Sequence, residues 1–140
     1  MSMGKRASQI ETIHLLGEFF DCRSPLSDLR FIRGGLRKVI KQTALTELHS
    51  YFHKFKPYGV TGVIVLKQSH ISIHTWPEDR FAAVDLFTCG ERKEALRAFR
   101  GLAGSLRPKR IRYRVIKRGS ANRRFAAIAR IGSEVRRRGA

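Results

Sequence analysis

The chain has 140 residues, of which 42% are apolar, and it carries a formal net charge of +18. This length suits one domain, which can bury about two-thirds of its unfolded surface without needing disulfides to hold a core. No run of about 18 apolar residues occurs, so no ordinary transmembrane helix is expected. The N-terminal residues lack the apolar stretch of a secretory signal. Only Cys22 and Cys89 are present, so we expect free thiols and a cytoplasmic location.

The positive charge is concentrated towards the C-terminal end of the sequence. Residues 107–140 contain thirteen Lys or Arg and one Glu, a net +12, whereas the preceding 106 residues carry +6. We therefore divide the chain into a domain over residues 1–119 and a basic tail over residues 120–140. Such a tail suggests an anionic partner, although it lacks the interleaved aromatic residues of single-strand binding surfaces. Binding of nucleic acid through the tail is left open but not expected, and no membrane partner is expected.

The first part of the chain predicts a strand, a helix and a second strand. Residues 11–20 are typical of a strand. Ser24 followed by Pro25 predicts the N-cap and the first position of a helix. Apolar residues then recur at helical spacing as far as residue 41. A second strand is indicated over residues 44–53, before a turn signal in KPYG.

The second part predicts a meander followed by a helix and a last strand. Three β-rich runs cover residues 60–66, 71–76 and 81–88, and polar or Pro-containing turns separate them. A helix is indicated up to residue 106, and alternating Arg and apolar residues over 110–117 indicate a strand with one wet face. Two helices beside four to six strands predict an α+β fold. We expect a two-layer sandwich, an antiparallel sheet with two main helices on one face.

One segment combines residue types that can carry chemistry. Residues 67–78 have the sequence KQSHISIHTWPE, with a serine, two histidines and an acid. Together with HKFKPYGVTGV before it and FAAVDLFTCG after it, this segment resembles the S-adenosylmethionine decarboxylase family over nearly forty residues. Weaker similarity in IHLLGEFFDC and in the order of elements extends the resemblance over most of the chain. The type resembled is the short bacterial and archaeal one, which depends on a pyruvoyl group.

The resemblance implies that the chain makes this cofactor by cleaving itself between Gln68 and Ser69. The Ser69 hydroxyl attacks the carbonyl carbon of Gln68, and β-elimination then frees the chain that ends at Gln68. The remaining dehydroalanine hydrolyses, releases ammonia and becomes a pyruvoyl group, an electrophile that no standard side chain provides. The ketone condenses with the substrate amine and accepts the electrons left by departing CO2. No metal and no pyridoxal phosphate are expected.

Other residues receive roles from the same resemblance. Cys89 matches the acid that reprotonates the substrate carbon, and His74 and Thr61 match residues that assist processing. The substrate-binding residues implied are Phe55, which would stack on adenine, Glu78, which would bind the ribose hydroxyls, and Glu18, an acid of the N-terminal strand.

Strand spacing tests part of this set independently of the resemblance. If Ser69 lies in the turn between the first two β-rich runs, antiparallel register places Cys89 opposite residue 68, within two residues. His74 lies five residues from Ser69, about 16 Å along a straight strand, and has the opposite parity. A bend or bulge would have to bring the two together. His53 and His70 are interpreted as turn or packing residues.

Three functions remain open from the sequence. S-adenosylmethionine is the favoured substrate, and its decarboxylation would supply aminopropyl groups for polyamine (spermidine) synthesis. A relative that uses the same pyruvoyl group on arginine or ornithine is the first alternative. Gln68 stands where the family usually has Glu, and the loss of this anionic side chain argues mildly against these more cationic substrates. The second alternative is a relative without activity that binds nucleic acid through its tail. The resemblance also implies a homodimer of cleaved protomers, with active sites built from both.

Overall fold

The computed structural model describes residues 11–89 and 91–119, and the predicted basic tail lies outside them. These residues form six strands and two helices, with one 3₁₀ turn (Pro77–Asp79) between the fourth and fifth strands. In chain order the elements are β1 (Thr12–Phe20), α1 (Leu29–Lys41), β2 (Glu47–Lys54), β3 (Val60–Leu66), β4 (Ser69–Trp76), β5 (Phe81–Thr88), α2 (Arg92–Leu106) and β6 (Arg110–Arg118).

The six strands form one antiparallel sheet in the order β2-β3-β4-β5-β1-β6. Strands β3 to β5 form the predicted meander, and β2 adds a further antiparallel strand to it beside β3. The first strand does not lie at an edge, because β1 pairs with both β5 and β6. Both helices pack on the same face, α1 over β2 and β3 and α2 over β1 and β5. The predicted two-layer α+β sandwich is therefore confirmed.

Strand alternation divides the sheet into two different faces. The face under the helices holds the core, where Leu15 and Phe19 of β1 are fully buried and the Phe19 ring lies 5.1 Å from that of Phe99 in α2. Gly17 lies between them, and a Cβ there would overlap the Phe99 ring, so this close contact requires glycine. The opposite face, which we call the open face, has no covering layer among the described residues. It comprises the odd-numbered residues of β2 from His49 onwards, the odd-numbered residues of β3 and β5, and the even-numbered residues of β1, β4 and β6.

The predicted start of α1 is wrong. Ser24 does not cap the helix, because its hydroxyl donates to the backbone carbonyl of Ser105 at 2.6 Å and so ties the β1–α1 loop to the end of α2. Pro25 instead accepts a turn hydrogen bond from the Asp28 N–H. The helix begins after Asp28, whose carboxylate accepts from the Phe31 N–H at 3.0 Å, the usual role of an N-cap residue.

The two helices approach each other closely through small residues. A Cβ added to Gly35 of α1 would overlap the Ser105 hydroxyl, and one added to Gly101 of α2 would lie 2.9 Å from a methyl carbon of Val39. Glycine at these two positions therefore allows the helices to pack side by side on the sheet. Within the described residues, neither helix is both long and apolar enough to cross a bilayer.

Candidate active site

The bond between Gln68 and Ser69 lies at the end of a tight turn. Lys67 and Gln68 connect β3 to β4, and Ser69 is the first residue of β4, paired with Leu66 across the hairpin. The Lys67 N–H donates to the carbonyl of Thr46 at 3.0 Å, which fixes the turn against the segment before β2. The bond is therefore held in place at the margin of the sheet, outside the regular strand pairing.

Cys89 lies beside this turn. Ser69 pairs with Thr88 on its other side, and Cys89 is the next residue after Thr88. Continuing the antiparallel register by one residue sets Cys89 opposite Gln68. The cysteine is exposed, and so its thiol is accessible at the edge of the site. The prediction from strand spacing is confirmed.

Thr61 and His74 form a second polar group at the other end of the same strands. They are paired across β3 and β4, and the Thr61 Oγ1 lies 2.9 Å from the His74 Nδ1. Both side chains belong to the open face. This contact uses one ring nitrogen of the histidine and leaves Nε2 to exchange a proton with another group.

Phe55 and Glu78 lie at the same end of the sheet as Thr61 and His74. Phe55 follows β2 directly, and its N–H donates to the Gly59 carbonyl at 2.9 Å, closing the hairpin before β3. The ring contacts that of His53 edge-on at 4.6 Å and remains 47% exposed, so one side can accept a flat ligand. Glu78 is exposed in the 3₁₀ turn that follows β4. An aromatic surface and a carboxylate thus flank the Thr61–His74 pair.

A single chain keeps the two polar groups apart. Between Ser69 and His74 every residue of β4 pairs in sequence with both β3 and β5, without a bulge. The two residues are therefore separated by about 16 Å, and their side chains belong to opposite faces. The bend or bulge that could have joined them within one chain is absent from these strands. We call the predicted residues Gln68, Ser69 and Cys89 the cleavage end, and the predicted residues at the other end of the strands (Phe55, Thr61, His74 and Glu78) the binding end.

Comparison with known proteins gives this arrangement a family. The sequence matches the family model described as S-adenosylmethionine decarboxylase over residues 13–119, a segment that includes both ends of the site. The chain belongs to the S-adenosylmethionine decarboxylase family.

Similar proteins and a similar crystal structure agree with the family. The chain is 43% identical over 99 residues to the S-adenosylmethionine decarboxylase proenzyme of Thermotoga maritima, covering 70% of this chain and 76% of that one. It is 39% identical over 109 residues to the Persephonella marina proenzyme, covering 77% and 82%. The crystal structure of the Aquifex aeolicus adenosylmethionine decarboxylase superposes with a TM-score of 0.76 at 36% identity, covering 84% of this chain and 98% of that one.

Within this family member, Glu18 lies nearer to the binding end than to the cleavage end. It pairs across the sheet with Ala83, which in turn pairs with His74, so Glu18 lies on the open face two strands from His74. At the usual strand spacing this is about 10 Å. Its carboxylate forms a close ion pair with Arg112 of β6. A substrate group that bound Glu18 would therefore compete with this arginine.

The histidines interpreted as packing residues do pack. His53 contacts Phe55, and the His70 ring stacks on Phe87 of β5 with centroids 5.5 Å apart. His14, which the sequence analysis did not single out, joins His70 and Phe87 on the open face. Its Nε2 has no hydrogen-bond partner among the described residues. Alternation along β1 predicts that His14 lies on this face. Its contact with His70 and Phe87 depends on the pairing of β1 with β5 inside the sheet.

Burial lowers the pKa of His14 below its usual 6.5, and this effect outweighs the attraction of Asp85. Arg118 and His70 act in the same direction as burial. His14 is therefore a neutral imidazole at neutral pH.

Proposed function

We propose that this chain is a self-cleaving S-adenosylmethionine decarboxylase, cut between Gln68 and Ser69 and active through a pyruvoyl group derived from Ser69. The observation that carries the proposal is the pairing of Ser69 with Thr88, which brings Cys89 next to the bond to be cut. This pairing lies inside the segment that the family model matches. The curated relatives are named proenzymes, which suits a chain that must be cut before it acts.

Processing uses groups that the chain itself supplies. The Ser69 Oγ attacks the carbonyl carbon of Gln68, the C–N bond breaks, and an ester replaces the amide. Loss of the Ser69 α-proton then breaks the Cβ–O bond, and the Gln68 carboxylate leaves as the new C-terminus. Hydrolysis of the dehydroalanine end releases ammonia. Proton transfers of this kind are what a hydroxyl–imidazole pair such as Thr61–His74 provides, and in the dimer proposed below this pair comes from the other protomer.

The residues around Ser69 fit the group that this reaction makes. A pyruvoyl group at position 69 would supply an electrophilic ketone for the substrate amine and an acceptor for the electrons left by the departing CO2. Cys89 directly follows Thr88, the residue that pairs with Ser69, and it is exposed. We assign it the protonation of the substrate carbon.

We further propose a homodimer in which each site combines the cleavage end of one protomer with the binding end of its partner. The two ends cannot meet within one chain, because the regular strand β4 separates them. In this twofold dimer the two open faces pack against each other, and the symmetry axis lies between the sheets and perpendicular to the strands. Each cleavage end then lies over the partner's binding end. The open face also exposes large apolar side chains that a partner would bury, among them Tyr51, Val65 and Trp76.

S-adenosylmethionine is the substrate that the binding end suits best. Adenine needs a flat apolar surface, and stacking on an aromatic ring such as Phe55 contributes about 1–3 kcal/mol. The ribose diol can donate two hydrogen bonds to one carboxylate, a role that Glu78 can fill. Glu18 adds negative charge for the cationic sulfonium group. Arginine or ornithine has neither an adenine nor a diol and would leave both groups unused.

The product of this reaction would be the aminopropyl donor for spermidine synthesis, so we assign the enzyme to polyamine biosynthesis. The cytoplasmic location expected from the sequence belongs to the same proposal, and cell fractionation tests it.

A denaturing gel with mass analysis tests the cleavage. We expect two fragments of similar size, ending at Gln68 and beginning at Ser69, and the second should resist Edman sequencing until an amine is supplied. Ser69→Ala should leave one intact chain, and Ser72→Ala, a serine on the same strand, should be cut normally. Wild-type protein that stays whole after long incubation, with an ordinary serine at position 69, would contradict the proposal.

Release of labelled CO2 tests the substrate on one processed preparation. S-adenosylmethionine should exceed arginine and ornithine in kcat/KM, and Phe55→Ala should raise its KM. Activity on arginine or ornithine alone would make that alternative correct.

A further inference from the structure

The helices carry most of the positive charge of the domain that precedes the basic C-terminal segment. Helices α1 and α2 together contain nine Lys or Arg and one acid, Glu94, a net +8, whereas the first 106 residues as a whole carry +6. The remainder of those 106 residues is therefore slightly acidic. Since both helices lie on the same face of the sheet, this charge belongs to one side of the molecule, opposite the open face.

Six of the eight exposed cations of the helices follow two regular lines along the helix surfaces. On α1, Arg30, Arg37 and Lys41 recur at intervals of seven and four residues, and all three are exposed. On α2, Lys93, Arg97 and Arg100 recur at four and three, and all three are exposed. Such intervals keep side chains on one side of a helix. We call these two lines, with the glycines described next, the basic stripes.

Each basic stripe also contains an exposed glycine in mid-helix. Gly34 follows Arg30 by four residues, and Gly104 follows Arg100 by four. A Cβ at either position would meet nothing within 4 Å, unlike the glycines at the helix crossing. Glycine in a helix interior destabilises it by about 0.5–1 kcal/mol relative to alanine. Packing therefore does not explain why these two residues are glycine. Because they have no side chain, the helix backbone between the cations remains accessible from solvent.

Few of these cations are neutralised within the domain. Among residues 11–89 and 91–119, Arg37 pairs with Glu47 and Arg97 lies 3.9 Å from Glu94. The other four stripe cations, Arg30, Lys41, Lys93 and Arg100, form no ion pair with those residues. Free charge on one surface attracts a polyanion, whose released counterions provide most of the binding free energy.

We propose that the basic stripes bind the phosphate backbone of double-stranded nucleic acid, independently of its sequence. Arg and Lys are the side chains that contact phosphates, and the open glycines let a phosphodiester strand approach the helix backbone. This function is separate from decarboxylation, because the stripes lie on the layer opposite the open face.

The composition of this surface favours a duplex over the other polyanions. Single strands are bound by stacking their bases on aromatic residues, and the exposed aromatic side chains lie on the sheet or its connecting turns, none on a helix. Helices that bind a membrane surface insert an apolar face, whereas the apolar faces of α1 and α2 are already buried against the sheet. A duplex, by contrast, can be bound through contacts to its phosphates alone, which exposed Arg and Lys side chains can make.

Fluorescence anisotropy with labelled DNA and RNA duplexes of about 20 base pairs tests the proposal on the full chain. The stripe variant combines the substitutions Arg30→Gln, Lys41→Gln, Lys93→Gln and Arg100→Gln. A matched tail variant removes the same amount of charge with Arg124→Gln, Arg136→Gln, Arg137→Gln and Arg138→Gln. We expect the stripe variant to bind at least about tenfold more weakly and its log Kd against log salt slope to fall by about 3 to 4. Self-cleavage, as the control for folding, should be unchanged.

Three outcomes would overturn the proposal. The first is a tail variant that loses as much affinity as the stripe variant, which would assign the binding to the tail. The second is anionic lipid vesicles that bind as tightly as the duplexes and with the same sensitivity to the stripe substitutions. The third concerns the glycines: Gly34→Leu with Gly104→Leu should weaken binding without changing the salt slope, and unchanged affinity would contradict close backbone approach.

Discussion

Thr61 and His74 are neighbours across β3 and β4, with the threonine Oγ1 2.9 Å from the histidine Nδ1. The contact fixes the orientation of the imidazole on the open face and determines which ring nitrogen remains available. The hydroxyl, and not the methyl, should matter for processing.

Substitutions at Thr61 separate these two parts of the side chain. Thr61→Val keeps the shape and removes the hydroxyl, so self-cleavage should slow by about 10²-fold, the lower range for a positioned proton-transfer group. Thr61→Ser keeps the hydroxyl and should cleave at close to the wild-type rate. The measurement is the fraction of cut chain against time on a denaturing gel. Equal cleavage rates for Thr61→Val and Thr61→Ser would show that the Thr61 hydroxyl takes no part in processing.

Mixed dimers test whether one site draws on two protomers. Ser69→Ala destroys the cleavage end, and Phe55→Ala with Glu78→Ala destroys the binding end, so each variant alone should be inactive. Co-expression should restore about one quarter of wild-type activity, because half of the dimers are mixed and each has one intact site. As the control, the two variants are purified separately as homodimers and then mixed under conditions in which their subunits do not exchange. No recovery on co-expression would favour a site built within one chain.

The two cysteines should differ in both reactivity and function. Burial raises the pKa of the Cys22 thiol to about 11, and the nearby Asp21 adds to the effect, whereas Cys89 is exposed. A thiol reagent at pH 8 should therefore label Cys89 and spare Cys22 until the protein unfolds. Cys89→Ala should be cut but turn over about 10²–10⁴-fold more slowly. Cys22→Ala is the matched control, and loss of turnover there instead would reverse the assignment.

Stability should fall in mild acid because of His14. Its pKa is lowered in the folded protein, so below about pH 6.5 the unfolded chain binds more protons and the folded state loses stability as the pH falls. In the uncut Ser69→Ala background, His14→Gln should flatten the dependence of the urea midpoint on pH between 7 and 5. A His14→Gln curve parallel to the parent would contradict this origin.

The four glycines inside the helices divide into two pairs with opposite expected effects. Gly34→Ala and Gly104→Ala should each stabilise the uncut protein by about 0.5–1 kcal/mol, since the methyl group meets open space. Gly35→Ala and Gly101→Ala should destabilise it, because the methyl would press on Ser105 and Val39 across the helix crossing. Denaturant unfolding in the Ser69→Ala background measures all four. Destabilisation by Gly104→Ala would show that its surface is not open.

Local features of the site were predictable from the sequence. The turn at Gln68 and the two-residue alternation of the meander sufficed to set Cys89 opposite the cleavage bond. The same spacing predicted the separation of Ser69 from His74, although it did not exclude a bend. Both follow from strand geometry between neighbours in the chain.

Contacts between distant parts of the chain were not predictable in the same way. Ser24 has the residue type of an N-cap, but its hydroxyl bonds to Ser105, 81 positions away, so the next capping residue starts the helix. The position of Glu18 two strands from His74 depends on β1 entering the sheet beside β5. Spacing within one segment carries no information on such pairings.

The position of β1 inside the sheet, between β5 and β6, determines how self-cleavage would divide the molecule. A cut after Gln68 divides the elements into β1, α1, β2 and β3 on one piece and β4, β5, α2 and β6 on the other. Strand β1 would then lie between two strands of the other piece, and three of the five strand pairings would join separate polypeptides. The cut chain would be an interwoven heterodimer rather than a nicked monomer. Its melting temperature should rise with protein concentration, as an associating system requires, while that of the Ser69→Ala chain should depend on concentration only through dimer formation.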